Sequence, residues 1–179
     1  MDENRSDNIL RAALGRNDPV AVELMWDRYA SDLLAFLQAV LCSRHDAEDV
    51  LQTVFVRIVH KRRRLARARC LDAYVYQIAR NEAYSLIRRR ERDQKTKGIT
   101  ESWLTVTENN REPNDLAEQL QTALAQLPQT QREVIVLKIY RQKTFLEISR
   151  LLGLPQNTVA SRYRYAMEKL RNLLENLKL

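Results

Sequence analysis

Apolar residues recur at three- and four-residue steps through most of the chain, the spacing that lines one face of an α-helix. Trp26, Tyr29, Leu33, Leu37 and Val40 predict a helix over residues 20–41. Asp18-Pro19 sets its start, because Asp accepts the free N–H groups of a first turn and Pro suits the first helical position. A second helix should begin between Ser43 and Asp46, carry Val50, Leu51, Val54, Phe55 and Ile58 on one face, and end in the basic run that follows. Asp72 is the next expected cap. It opens a third helix with a buried stripe of Val75, Ile78, Ala79, Glu82 and Leu86, in which the glutamate is the misfit. On a roughly opposite face, Gln77, Arg80, Asn81, Tyr84 and Arg88 fall within about 80° of one another at 100° per residue.

Between residues 93 and 115 the periodicity fails. Gly98, Asn109, Asn110, Pro113 and several threonines surround isolated apolar residues, which is linker composition, although Trp103 and Leu104 are candidates to dock on a neighbour. Beyond it, Leu116, Leu120, Leu124 and Leu127 space a helix that Pro128 stops, and Val134, Ile135, Leu137 and Ile139 belong to another. Phe145, Ile148, Leu151 and Leu152 then mark a short helix, Gly153 a left-handed turn, and Pro155 the start of a last helix with Val159, Tyr163, Ala166 and Leu170 inward. This is a helix-turn-helix, whose second helix is free to enter a major groove. The expected fold is all-α: two small helical domains, residues 1–92 and 116–179, joined by a linker over residues 93–115.

Composition and charge narrow the function. Three Gly and four Pro in 179 residues supply few of the turns an all-β protein needs. Thirty basic against 23 acidic side chains, a net +7, point to a polyanionic partner, either nucleic acid or an acidic membrane surface. No apolar run is long enough to span a bilayer, and the start, MDENRSDN, is polar where a signal peptide would be basic and then apolar. A cytoplasmic protein with no membrane insertion is expected. Cys42 and Cys70 stand apart with no CxxC and only His45 and His60 as further soft ligands, so neither a disulfide framework nor a metal site is expected, and no cofactor.

Four segments in order carry a resemblance: DAEDVLQTVF (residues 46–55), YVYQIARN (74–81), LPQTQREVIVL (127–137) and the helix-turn-helix TFLEISRLLGLPQNTVASR (144–162). Together, over roughly residues 20–92 and 116–175, the chain resembles a bacterial RNA polymerase sigma factor of the extracytoplasmic-function (ECF) type. Each segment alone is weak; their order and spacing make the match specific. The resemblance implies a first, region 2-like domain that reads and melts the promoter minus-10 element, and a second, region 4-like domain that binds the minus-35 element. It also implies that core RNA polymerase, through its beta-prime clamp helices and beta subunit, holds both, and that an anti-sigma protein restrains the factor.

Asp46, Glu48 and Asp49 lie in one turn at a helix start, with Gln52 beside them. Carboxylates there favour the helix macrodipole, typically by about 0.3–1 kcal/mol each, which alone would explain them. The resemblance makes them the docking patch for the beta-prime clamp helices. Thr53 departs from the glutamate common in the family. Lys61, Arg62, Arg63, Arg64, Arg67 and Arg69 form a run without a negative charge, by itself a solvated loop. In the family this is the minus-10 specificity loop, and here it lacks the usual Gly or Pro. Gln77, Arg80, Asn81, Tyr84 and Arg88, extended by Arg89, Arg90 and Arg92, combine phosphate-pairing charge with an amide and a ring, as capture of unstacked bases requires. Tyr74 stands where relatives often have Trp, and Ser85 where they often have Asp.

In the last helix, Gln156, Asn157, Ala160, Ser161 and Arg164 are the candidates for reading minus-35 bases, with Thr158 and Arg162 on phosphates and Tyr165 flanking. Ala160 and Tyr165 replace basic residues common in relatives, so an unusual minus-35 sequence is expected. Two other classes compete. A free-standing helix-turn-helix regulator would explain the C-terminal half, yet needs neither the acidic helix start nor the aromatic and basic stripe. A metal-dependent nucleic-acid enzyme fails because Asp46 and Asp49 have nothing to complete an oxygen cage and no Gly-rich phosphate loop exists. The expected activity is non-enzymatic.

Overall fold

The computed structural model describes residues 2–16, 18–96 and 116–176, and these residues form helices and short turns. Eight α-helices follow one another: α1 (Asp2–Arg16), α2 (Val20–Leu41), α3 (Arg44–Ala66), α4 (Leu71–Thr96), α5 (Leu116–Ala125), α6 (Gln129–Ile135), α7 (Phe145–Leu152) and α8 (Gln156–Asn176). A π-helical turn over Val136–Tyr140 extends α6, and its wider winding shows in the Arg141 N–H bond to the Val136 carbonyl, five residues back.

The boundaries have local causes. The Asp18 carboxylate accepts the Val20 N–H at 3.1 Å, so Asp18-Pro19 opens α2 as its residue types dictate. α2 ends at Cys42 in the left-handed region (φ 54), whose N–H bonds the Gln38 carbonyl. Ser43 then caps α3 by accepting the Asp46 N–H at 3.3 Å. Thr144 and Glu147 form a reciprocal capping box on α7, and Gly153 (φ 66) closes that helix before α8. Asp72 is not the cap of α4. That helix starts one residue earlier, and the Asp72 carboxylate instead accepts the Tyr29 hydroxyl and pairs with Arg28 on α2.

α2, α3 and α4 pack together through Leu33, Phe36, Leu37, Val54, Ile58, Leu71, Val75 and Ala79, all buried. Phe36 meets Tyr76 edge-on at 5.4 Å; burial pushes the Tyr76 phenol up to about 12. Two elements differ from the sequence pattern. α1, not anticipated, seats Leu10, Ala13 and Leu14 on α2 and α3. Trp26, assigned to the apolar stripe of α2, is 47% exposed and rests on Phe55 at 4.7 Å.

The largest difference concerns the two halves. One buried cluster contains the α2–α4 residues together with Val134, Val136, Leu137, Ile148, Leu151, Leu152 and Val159. α7 packs on α4, and α6 on α2. A smaller cluster of Ala123, Leu124, Leu127, Ile135, Ala166 and Leu170 joins α5, α6 and α8. The expected linker, with Trp103 and Leu104, lies outside the described residues from residue 97 onward; residues 93–96 belong to α4.

Candidate functional site

The acidic start of α3 presents Glu48, Asp49 and Gln52 to solvent. Glu48 pairs with Arg44 at 2.9 Å and Asp49 with His45 at 3.3 Å, both exposed contacts one turn apart. Asp46 departs from this set. Arg90 of α4 grips both its oxygens, at 2.5 and 2.6 Å, and the side chain is mostly buried. Burial disfavours the charge, but the hydrogen bonds from Arg90 and Ser43 hold the carboxyl below its ordinary range. Asp46 thus ties α3 to α4 instead of facing a partner. Val56, one turn beyond Gln52, is 56% exposed, and with Trp26 and Val22 it leaves apolar surface on the α2–α3 face. The sequence signal for it was Val56 standing just outside the apolar stripe of α3.

The basic run is not a loop. α3 continues through Ala66 because Leu65 is fully buried and no Gly or Pro interrupts it, so only Arg67 and Arg69 stand in the turn that follows. Arg11 of α1 donates to the Ala66 and Ala68 carbonyls at 3.4 and 2.5 Å, satisfying acceptors that a helix end leaves free. Arg63, Arg64, Arg67 and Arg69 are exposed, Lys61 and Arg62 half-buried. An open groove of about 460 Å³ is lined by His60, Lys61, Arg62, Arg63 and Arg64.

The stripe on α4 divides in two. Gln77, Asn81 and Arg88 are exposed, while Tyr74 is half-buried. Arg80 and Tyr84 are turned to Glu133 of α6, a carboxylate with no exposed surface. Arg80 donates Nε to Oε2 at 2.7 Å and Nη2 to Oε1 at 3.2 Å; the Tyr84 hydroxyl donates to Oε2 at 2.9 Å. Arg80 also lies over the Tyr84 ring, 4.8 Å from its centroid. Burial and the Glu133 charge push the Tyr84 phenol up, and the same carboxylate raises Arg80 above its ordinary value against the cost of burial.

On α8, Gln156, Asn157, Arg164 and Tyr165 are exposed, and Arg164 lies over the Tyr165 ring at 5.1 Å. Thr158, Ala160 and Ser161 are half-buried, and the Ser161 hydroxyl is spent on the Thr158 carbonyl at 3.0 Å. Arg162, expected on a phosphate, reaches Glu133 at 3.4 Å instead. Tyr163 packs edge-on against Phe145 at 5.5 Å, on the inner face as its spacing requires. Among the described residues, no group of three or more His, Cys, Asp or Glu could hold a metal ion, and no helix is long and apolar enough to cross a membrane.

Two family models match the chain: sigma-70 region 2 over residues 25–93 and sigma-70 region 4 over residues 123–172. The RNA polymerase sigma factor CarQ of Myxococcus xanthus is 30% identical over 163 residues, spanning 89% of this chain and 92% of that protein. The ECF RNA polymerase sigma factor SigW of Bacillus subtilis (strain 168) is 27% identical over 164 residues, 84% and 87% of the two chains. The sigma factor RpoE, solved in complex with the anti-sigma factor NepR from Bartonella quintana, is similar over 81% of this chain and 91% of that one, with 27% identity and a TM-score of 0.66. CnrH, solved with the cytosolic domain of CnrY, shares the fold over 96% and 98% of the two chains, with a TM-score of 0.69 at 24% identity.

Proposed function

The chain belongs to the ECF sigma factors, which bind core RNA polymerase and promoter DNA and direct promoter-specific initiation without catalysing a reaction themselves; on that premise we propose which of its surfaces meets which partner. Glu48, Asp49 and Gln52, with the apolar Val56 and Trp26 alongside, dock the beta-prime clamp helices. What supports this is that all five are exposed on the α2–α3 face, whereas Asp46 serves the fold. The cationic end of α3 and the exposed Gln77, Asn81 and Arg88 of α4 form a track for strand-separated minus-10 DNA, with polar edges for bases and charges for phosphates. Gln156, Asn157 and Arg164, in the first turns of α8 after the Gly153 turn, read minus-35 base edges in the major groove. Arg80, Tyr84 and Arg162 join these sets once Glu133 is withdrawn.

The single observation that carries the reading is that an exposed acidic start of α3 and a helix-turn-helix with a free N-terminal face lie on one chain. A regulator binding duplex DNA alone uses only the second. By analogy with the two solved relatives bound to anti-sigma or cytosolic partner domains, this factor is also held inactive by such a protein. The test is to mix the purified chain with core polymerase and promoter fragments and to map permanganate-reactive thymines. A stable ternary complex with a reactive bubble at the minus-10 position is expected. Tight binding to duplex DNA without polymerase, and no bubble with it, would replace this reading by the free-standing regulator.

A further inference from the structure

Glu133 lies at the seam between the two halves of the molecule, fully buried, and the groups around it are cations or donors. Arg80 meets both of its oxygens in the forked geometry guanidinium uses for carboxylate and phosphate alike, Tyr84 adds a hydroxyl, and Arg162 approaches from the recognition helix. Three donors from two DNA-facing helices thus converge on one internal anion. Around it the seam is closed by Arg141 paired to Asp32, by the Arg132 bond to the Val40 carbonyl at 2.7 Å, and by the shared apolar cluster of α2, α4, α6 and α7.

We propose that Glu133 is an intramolecular phosphate surrogate that locks the polymerase-free chain closed and masks part of both DNA-binding surfaces. The proposal rests on the assignment of Arg80, Tyr84 and Arg162 to DNA made above. A closed chain binds DNA only through its open fraction, so apparent affinity falls in proportion to that fraction. Two guanidinium groups brought together without an anion repel each other, so removing the charge of Glu133 acts directly on the closed state. Polymerase, by holding the two halves apart on its own surface, releases the same residues for promoter DNA.

The experiment compares the wild-type chain with Glu133→Gln, and with Asp32→Asn, which weakens the seam at Arg141 without touching Glu133. Scattering radius of the free chain and its affinity for a short mixed-sequence single-stranded DNA are measured, with circular dichroism to confirm helicity. Glu133→Gln should enlarge the radius and tighten DNA binding on the order of tenfold, as expected if about a tenth of the wild-type chain is open. Asp32→Asn should move both readings in the same direction by less, and it decides the matter if Glu133→Gln loses helicity. Unchanged radius and affinity in the folded variants would overturn the lock. With core polymerase present, Glu133→Gln should open promoters as the wild type does, and an Arg80→Ala, Tyr84→Ala double variant should not. Normal opening by that double variant would overturn the DNA role of the pair, and the masking with it. A compact, weakly binding Glu133→Gln beside a defective double variant would overturn the lock alone.

Discussion

Arg132 and Glu133 are neighbours in sequence, both buried, and satisfied in opposite ways. The Arg132 guanidinium donates to the carbonyls of Val40, Ala125 and Leu127 at 2.7–2.8 Å, filling the acceptors left at the ends of α2 and α5, and burial lowers its pKa. Its replacement by alanine leaves three carbonyls without that donor. We expect Arg132→Ala to lose about 3 kcal/mol or more of stability, read by urea denaturation, with a change of less than about 0.5 kcal/mol for the exposed Arg171→Ala as control. By contrast, Asp49→Ala with Gln52→Ala should leave the circular dichroism spectrum and denaturation midpoint unchanged while weakening core-polymerase affinity, because both side chains are exposed. Normal polymerase binding by the folded double variant would remove the docking role. Residue chemistry was legible where exposure follows from helical spacing, as at Asn81 and Arg164. It was not legible at Asp46, Arg80 and Arg162, since a side chain that ends on a carboxylate or arginine more than 25 residues away shares no local pattern with it.

At the scale of elements, the depressed pKa of Asp46 gives the α3–α4 tie a pH signature. The folded value lies below the ordinary 3.8, so the tie contributes stability above that pH and loses it as acid protonates the folded carboxylate. Wild-type stability should therefore fall more steeply below about pH 4 than that of Arg90→Ala, in which Asp46 returns toward its ordinary pKa. Parallel acid profiles for the two would show that the pair does not couple α3 to α4. A second element-scale effect concerns α1, whose Arg11 holds the last carbonyls of α3. Arg11→Ala should speed amide exchange across residues 61–68 and leave α8 unaffected. The helices with strong caps were readable from residue types alone, including the Thr144 to Glu147 box, whose T-x-x-E spacing is visible in the sequence. α1 was overlooked because only Leu10, Ala13 and Leu14 mark it among polar neighbours, and the end of α3 was misread because charge density suggests a loop while the buried Leu65 dictates a helix.

For the whole molecule, the sequence legibly indicates two helical halves but not their contact. Each half has its own amphipathic helices, and the residues that join them, Val134, Val136, Ile148 and Leu151, satisfy the same periodicity whether they face their own half or the other. Because one apolar cluster crosses the seam, unfolding of the free chain should follow a single transition, with Trp26 fluorescence and total helicity losing signal together; two separated midpoints would mean the halves are energetically independent. The π turn at Val136–Tyr140 has a consequence of another kind, one of angular phase. It uses one residue more per hydrogen-bonded loop than an α-helix does, so it acts as a one-residue insertion that sets the rotation of everything after it. Removing one residue there would restore α winding and turn the chain that follows by about 100° about the α6 axis. The face of α8 now aimed outward would then be re-aimed, and a single-codon deletion could misdirect promoter reading while leaving every base-reading side chain in place.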